Sequence, residues 1–258
     1  MSEYLDLAGR IMKLGVEKGA EYVDVRVEKS VSMSVRVGKG HVEETSRGYS
    51  AGAGVRVLYG GSWGFASTEK LDYESLLYAL ENALSIAKAS AGRRREKSSV
   101  SSYPRVKDRV KAKVRVNPLD VPVEEKVSLV LAADKEVRAR RYVKDDRVRY
   151  VEAVYVKAFV NSEGSEIVVE GTKVLGSVYV ASVKGGVISP AYDRVAGTGG
   201  YEIFEKKDLV ELAGEVADRS VKLLDAEVPK GGLATAVLDN DLLGLIVHEA
   251  FGHTAEAD

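Results

Sequence analysis

The 258-residue chain contains no cysteine. That excludes a disulfide framework, thiolate nucleophiles and any Cys-rich zinc site built from these residues alone. Glutamine is absent too, and asparagine occurs only at Asn82, Asn117, Asn161 and Asn240. Such depletion beside abundant Lys, Arg and Glu points to a thermophilic source. Neither sign of charge dominates: 38 Lys and Arg against 39 Asp and Glu leave a formal net charge of -1. Bulk charge therefore gives no ground for a nucleic-acid or membrane partner. No apolar run approaches the roughly 20 residues of a membrane helix. The N-terminal stretch MSEYLDLAGRIMKLG carries Glu3 and Asp6 and lacks the apolar core of a signal peptide. The expectation is a cytoplasmic protein.

What is present is a patterned, globular chain, 45% hydrophobic and long enough for one large domain or two smaller ones. Residues 3–18 have helical spacing, closed by Gly19. Residues 21–29 and 31–37 alternate as strands, and Gly38 and Gly40 announce a hairpin. Strands at 50–58 and 62–67 flank Gly60-Gly61. A helix over 71–89, with Thr68 as its N-cap, presents Leu76, Leu77, Leu80, Ala83, Leu84 and Ala87. Residues 90–104, rich in Ser, Arg and Gly, read as a linker.

Residues 105–116 place Lys or Arg at every odd position, with mostly Val between. The strict period of two predicts a strand. Its basic face fits a solvated edge better than a nucleic-acid surface, since no aromatic stacking set accompanies it. Another helix over 122–141 precedes strands at 148–161, 165–171, 174–185 and 190–202, then a helix over 205–224. Helix, antiparallel meander, helix thus occurs twice. The predicted class is α+β: two such units, followed by the first strand and helix of a further domain. No strand leads into a G-x-G-x-x-G helix entry, which excludes a dinucleotide fold. The expected boundaries are 1–92, a linker at 93–104, 105–227, and 228–258. In the last segment Thr235–Leu238 reads as a short strand, and Asp239, Asn240 and Asp241 are cap candidates for a helix.

That helix leads into the one segment with explicit chemistry, His248-Glu249-Ala250-Phe251-Gly252-His253. Two of the three histidines bracket a glutamate. Imidazoles suit zinc, and an adjacent Glu can deprotonate metal-activated water. The familiar H-E-x-x-H spacing of four puts both His on one helix face. A spacing of five separates them by roughly 140° on an ideal α-helix. A shared metal therefore requires a π-bulge or a break between Phe251 and His253. The apolar run LLGLIV before the pair suggests a buried approach. The third histidine, His41, sits in a turn without a ligand-spaced neighbour and reads as solvent-exposed. Tyr59, Trp63 and Phe65 read as core or interface.

The run HEAFGHTAEAD at 248–258 resembles the H-E-x-x-x-H signature of the TldD/PmbA metalloproteases. GVRVLYGGSWGFAS at 54–67, VNSEG at 160–164 and the Gly-Gly-Tyr of 199–201 agree with it, so the resemblance spans essentially the whole chain. It implies a zinc peptidase acting on peptides or unfolded proteins, with His248 and His253 as metal ligands and Glu249 as general base. It also implies a dimer, of like or related subunits, and with its motif intact this chain resembles the metal-bearing type. Family members continue past the motif, and a Cys there supplies the third ligand. This chain has no Cys, and Glu256 is a poor substitute. The expectation is an N-terminal portion that is inactive alone and holds no ordered zinc by itself. The alternative is a non-catalytic scaffold or partner subunit.

Overall fold

The alternation of β-branched residues at the start of the chain sets the architecture. In the computed structural model, which describes residues 2–92, 96–101, 103–227, 230–233 and 235–256, the described residues up to Asp225 form one compact unit and those from Ala226 a second. In the first unit α1 (Ser2–Glu17) leads into β1 (Tyr22–Gly38), β2 (His41–Tyr59) and β3 (Ser62–Thr68), followed by α2 (Tyr73–Ala91). After β4 (Lys107–Lys111) come α3 (Val123–Arg138), β5 (Val143–Asn161), β6 (Glu166–Lys184) and β7 (Val187–Thr198). The unit ends with α4 (Ile203–Lys206) and α5 (Leu209–Lys222).

All seven strands belong to one open sheet in the order β3-β2-β1-β5-β6-β4, with β7 also on β6. Every pairing is antiparallel except β4 with β6. β4 and β7 divide the outer edge of β6: β4 takes Glu166–Glu170 and β7 takes Lys173–Lys184.

The period of two decides which face is covered. On β1 the odd positions Val23, Val25, Val27, Met33, Val35 and Val37 are all buried. The first three pack with residues of α1 and α2, the last three with residues of α3 and α5. Both helix pairs therefore lie on the same face of the sheet. Their apolar stripes follow i, i+3, i+4 spacing, as Leu76, Ala79, Leu80, Ala83 and Leu84 do on α2 and Leu209, Leu212, Ala213 and Val216 on α5. Burying those stripes against the sheet drives the fold.

The α+β class is as expected, and the local differences have physical causes. The expected strands 21–29 and 31–37 are one strand, Tyr22–Gly38, because Ser30 keeps the ladder with both Ser50 and Tyr155. β2 starts at His41, well before residue 50. Residues 165–171 and 174–185 are also one strand: Gly171 leaves room for the Tyr155 ring opposite, where a Cβ would overlap it. β7 ends at Thr198, and the last helix begins at Leu209, capped by Asp208 through Val210 N–H at 2.6 Å. α2 is capped by Asp72, accepting from Ser75 N–H at 2.8 Å, and not by Thr68. The basic strand is only Lys107–Lys111. Its Lys107 pairs with Glu166 and its Arg109 with Glu170, so the charges serve the sheet edge. Residues 93–95 and 102 of the expected linker lie outside the described residues. His41 is exposed, and Trp63 stands edge-on to Tyr22 at 5.8 Å.

Two buried polar clusters brace the sheet against α3. Lys126 Nζ donates to Glu152 Oε1 at 2.9 Å and to Pro118 O at 2.6 Å, and Tyr150 donates its hydroxyl to the same carboxylate. Lys126 and Glu152 are 2% and 1% exposed. At the β1–β2 turn, Lys39 N–H donates to Asp146 Oδ2 and Gly40 N–H to Asp134 Oδ1, both at 3.3 Å. Burial, reinforced by a side-chain hydrogen bond to Asp134, pushes the Asp146 carboxyl up to about 7. Arg138 Nη1, 3.9 Å from Asp134, is the nearby cation.

Candidate metal centre

The second unit carries the His-Glu-His segment. Residues 235–238, read as a strand, make no ladder pairing. The Asp239 carboxylate accepts from Leu242 N–H at 2.8 Å and so starts α6 (Asn240–Val247) on an N-cap. Against the expectation of a buried approach, Leu242, Leu243, Leu245, Ile246 and Val247 are 42–55% exposed in this chain.

At His248 the helix widens. Residues His248–Gly252 form a π-helical turn, closed by His253 N–H donating to His248 O. The i→i+5 bond joins the two histidines directly and absorbs the extra residue of the spacing. Their ring centroids stand 4.7 Å apart at 70°. A 3₁₀ turn, His253–Ala255, follows at once, with Glu256 N–H reaching His253 O at 3.4 Å and Thr254 Oγ1 donating to Phe251 O at 2.8 Å.

The widening gathers the donors on one side. Ligand atoms of His248, Glu249 and His253 all lie within 4.8 Å of one another, and this is the only such group among the described residues. All three side chains are exposed. His253 Nε2 is 3.7 Å from Glu249 Oε2, while its Nδ1 is 3.1 Å from Glu256 Oε1. Two imidazoles and a carboxylate make a donor set that suits zinc. Sequence reasoning located these three residues and the need for a wider turn. It overlooked the approach of Glu256 to Nδ1, whose only sequence signal is the i, i+3 spacing from His253.

Comparison with known proteins fixes the family. The model for "PmbA/TldA metallopeptidase domain 1" matches residues 23–87, and that for the "PmbA/TldA metallopeptidase central domain" matches 116–224. The chain belongs to the PmbA/TldD family. It is 36% identical over 253 residues to a metalloprotease of Methanothermobacter thermautotrophicus, covering 98% of this chain and 54% of that one. A zinc metalloprotease TldD homolog of Saccharolobus solfataricus is 24% identical over 250 residues, covering 96% and 53%. The chain thus spans about half the length of the curated relatives it matches. Among solved structures, a putative modulator of a DNA gyrase from Thermotoga maritima superposes with TM-score 0.68 at 16% identity, covering 88% of this chain and 50% of that one. TldE from Thermococcus kodakarensis gives 0.60 at 17%, covering 84% and 47%. These last two speak for the fold. No helix among the described residues is long and apolar enough to cross a membrane.

Proposed function

We propose that this chain is the N-terminal portion of a zinc-dependent peptidase that hydrolyses peptides or unfolded proteins. The observation that carries the reading is the π-helical turn, which brings the donor atoms of His248, Glu249 and His253 within 4.8 Å. In this reading His248 and His253 hold the metal. A third ligand comes from outside these residues, since two imidazoles are fewer than the three protein ligands usual at catalytic zinc. When bound, zinc supplies Lewis acidity toward the scissile carbonyl and makes water a nucleophile at neutral pH. The Glu249 carboxylate takes the proton of the attacking water and passes it to the departing amine nitrogen.

The outer edge of β2 over residues 41–52 has no strand partner among the described residues. Its free backbone groups suit an extended peptide added as a further strand. The 258 residues alone are inactive in this reading. The working protein is a dimer with a like or related subunit and does not engage nucleic acid. Residues 93–104 link units 1–92 and 105–227, and 228–258 open the metal-binding domain. The second reading is a non-catalytic scaffold or partner subunit of a peptidase complex. Replacing Glu249 by Ala in the full-length natural protein separates the two. Hydrolysis should disappear while peptide binding persists, and unchanged turnover would sink the peptidase assignment.

A further inference from the structure

The backbone changes pitch twice within nine residues, and each change brings a specific pair of side chains together. The π turn joins His248 to His253 through its i→i+5 bond. The 3₁₀ turn that follows has three residues per turn, so positions i and i+3 eclipse. In this segment those positions are His253 and Glu256, and the eclipse sets Glu256 Oε1 3.1 Å from His253 Nδ1.

His253 therefore stands between two carboxylates, one toward each ring nitrogen. Glu249 is on the Nε2 side at 3.7 Å, beyond hydrogen-bond length. Glu256 is on the Nδ1 side, within it. An ionised carboxylate only accepts, and a neutral imidazole carries one N–H. The Glu256 side thus selects the tautomer protonated at Nδ1 and leaves the Nε2 lone pair facing the side shared with His248 and Glu249. The imidazole torsion about Cβ–Cγ is soft, so the ring can turn to bring Nδ1–H toward Oε1. Glu256 is not itself in the three-residue donor group, and it approaches the nitrogen turned away from Glu249.

We propose that Glu256 is a positioning residue: by accepting the Nδ1–H of His253 it fixes the tautomer and ring orientation that present Nε2 to a divalent cation. The inference rests on the metal-site reading above and adds a role for a carboxylate outside the ligand set. Carboxylates acting on ligand histidines in this way typically contribute about 10–100-fold in metal affinity.

The test uses the full-length natural protein. Zinc affinity is measured by competition with a chromophoric chelator for wild type, Glu256→Ala, Glu256→Gln, His248→Ala and His253→Ala. The His253 tautomer is read from long-range ¹⁵N–¹H correlations of the metal-free protein. Glu256 is exposed and terminal to its turn, and far-UV circular dichroism checks that each variant folds. The expected result is an Nδ1-protonated His253, about 10–100-fold weaker zinc binding in Glu256→Ala, and recovery of most of that loss in Glu256→Gln, whose amide oxygen still accepts. Wild-type affinity in Glu256→Ala beside lost binding in the two His variants would overturn the positioning role and leave the metal site standing. Loss in Glu256→Ala as complete as in His253→Ala, without rescue by Gln, would overturn it by making Glu256 a ligand. Full zinc binding in both His variants would overturn the metal reading and this inference with it.

Discussion

The buried Asp134–Asp146 pair makes the stability of this protein depend on pH in a defined direction. Both carboxyls are nearly inaccessible, and both accept backbone N–H groups of the β1–β2 turn, where Lys39 and Gly40 have φ of 53° and 81°. The Asp146 carboxyl, pushed up to about 7 in the fold, titrates near 3.9 in an unfolded chain. Between those values the folded state holds a proton that the unfolded state has lost. The contribution of this carboxyl is therefore full below about pH 4 and declines as pH rises to about 7, then levels off. Three units of separation set an upper bound of about 4 kcal/mol over that window, shared between the two carboxyls. Asp146→Asn mimics the protonated form with an uncharged side chain of the same shape. Urea denaturation at pH 4.5 and pH 8 measures the difference. The variant should lack the wild type's decline and should be the more stable protein at pH 8. Parallel stability profiles for the two proteins would refute the claim that Asp146 holds a proton in the fold that the unfolded chain has lost.

Lys126→Met leaves the Glu152 carboxylate buried without its cation and should cost about 3–5 kcal/mol by urea denaturation. Adding Glu152→Leu should return part of that loss. Gly64→Ala places a Cβ over Ala83 O and 2.8 Å from Ala87 N, where α2 lies on β3. The crowding should cost about 1–3 kcal/mol and lower Tm in calorimetry. Lys107 and Arg109 of β4 are engaged with the β6 carboxylates Glu166 and Glu170. The protein should therefore show no salt-dependent retention on double-stranded DNA; log-linear loss of binding with salt would contradict this.

Periodicity made the covered half of this fold legible. Val23 to Val37 on β1 and Leu76 to Leu84 on α2 alternate or recur because one face meets the core, and both were readable. The stretch from Glu43 to Ser50 was not, because β2 is exposed there on both faces and has no alternation to display. The predicted strand stops at residue 171, whereas Gly171 makes room for the Tyr155 ring opposite and β6 runs through it. The merging of two similar units into one sheet depends on β1 pairing with β5, a contact more than a hundred residues apart that local pattern does not encode. Asp146 occupies an inward register position with Val148 and Tyr150. The predicted strand starts only at residue 148, and the partner Asp134 lies on a different element, so the pair is not legible in the sequence. At the candidate metal centre, a shared metal needs a wider turn because a spacing of five does not fit α-helical geometry, and a π turn is what the backbone forms.

The claim that His248 and His253 hold a metal is tested most directly by the zinc content of the full-length natural protein. Elemental analysis should give roughly one zinc per metal-bearing chain, the complement of a single closed site. His248→Ala and His253→Ala should lose it, while Glu249→Gln keeps the metal and lacks activity. Zinc retained at wild-type level in both His variants would contradict the account.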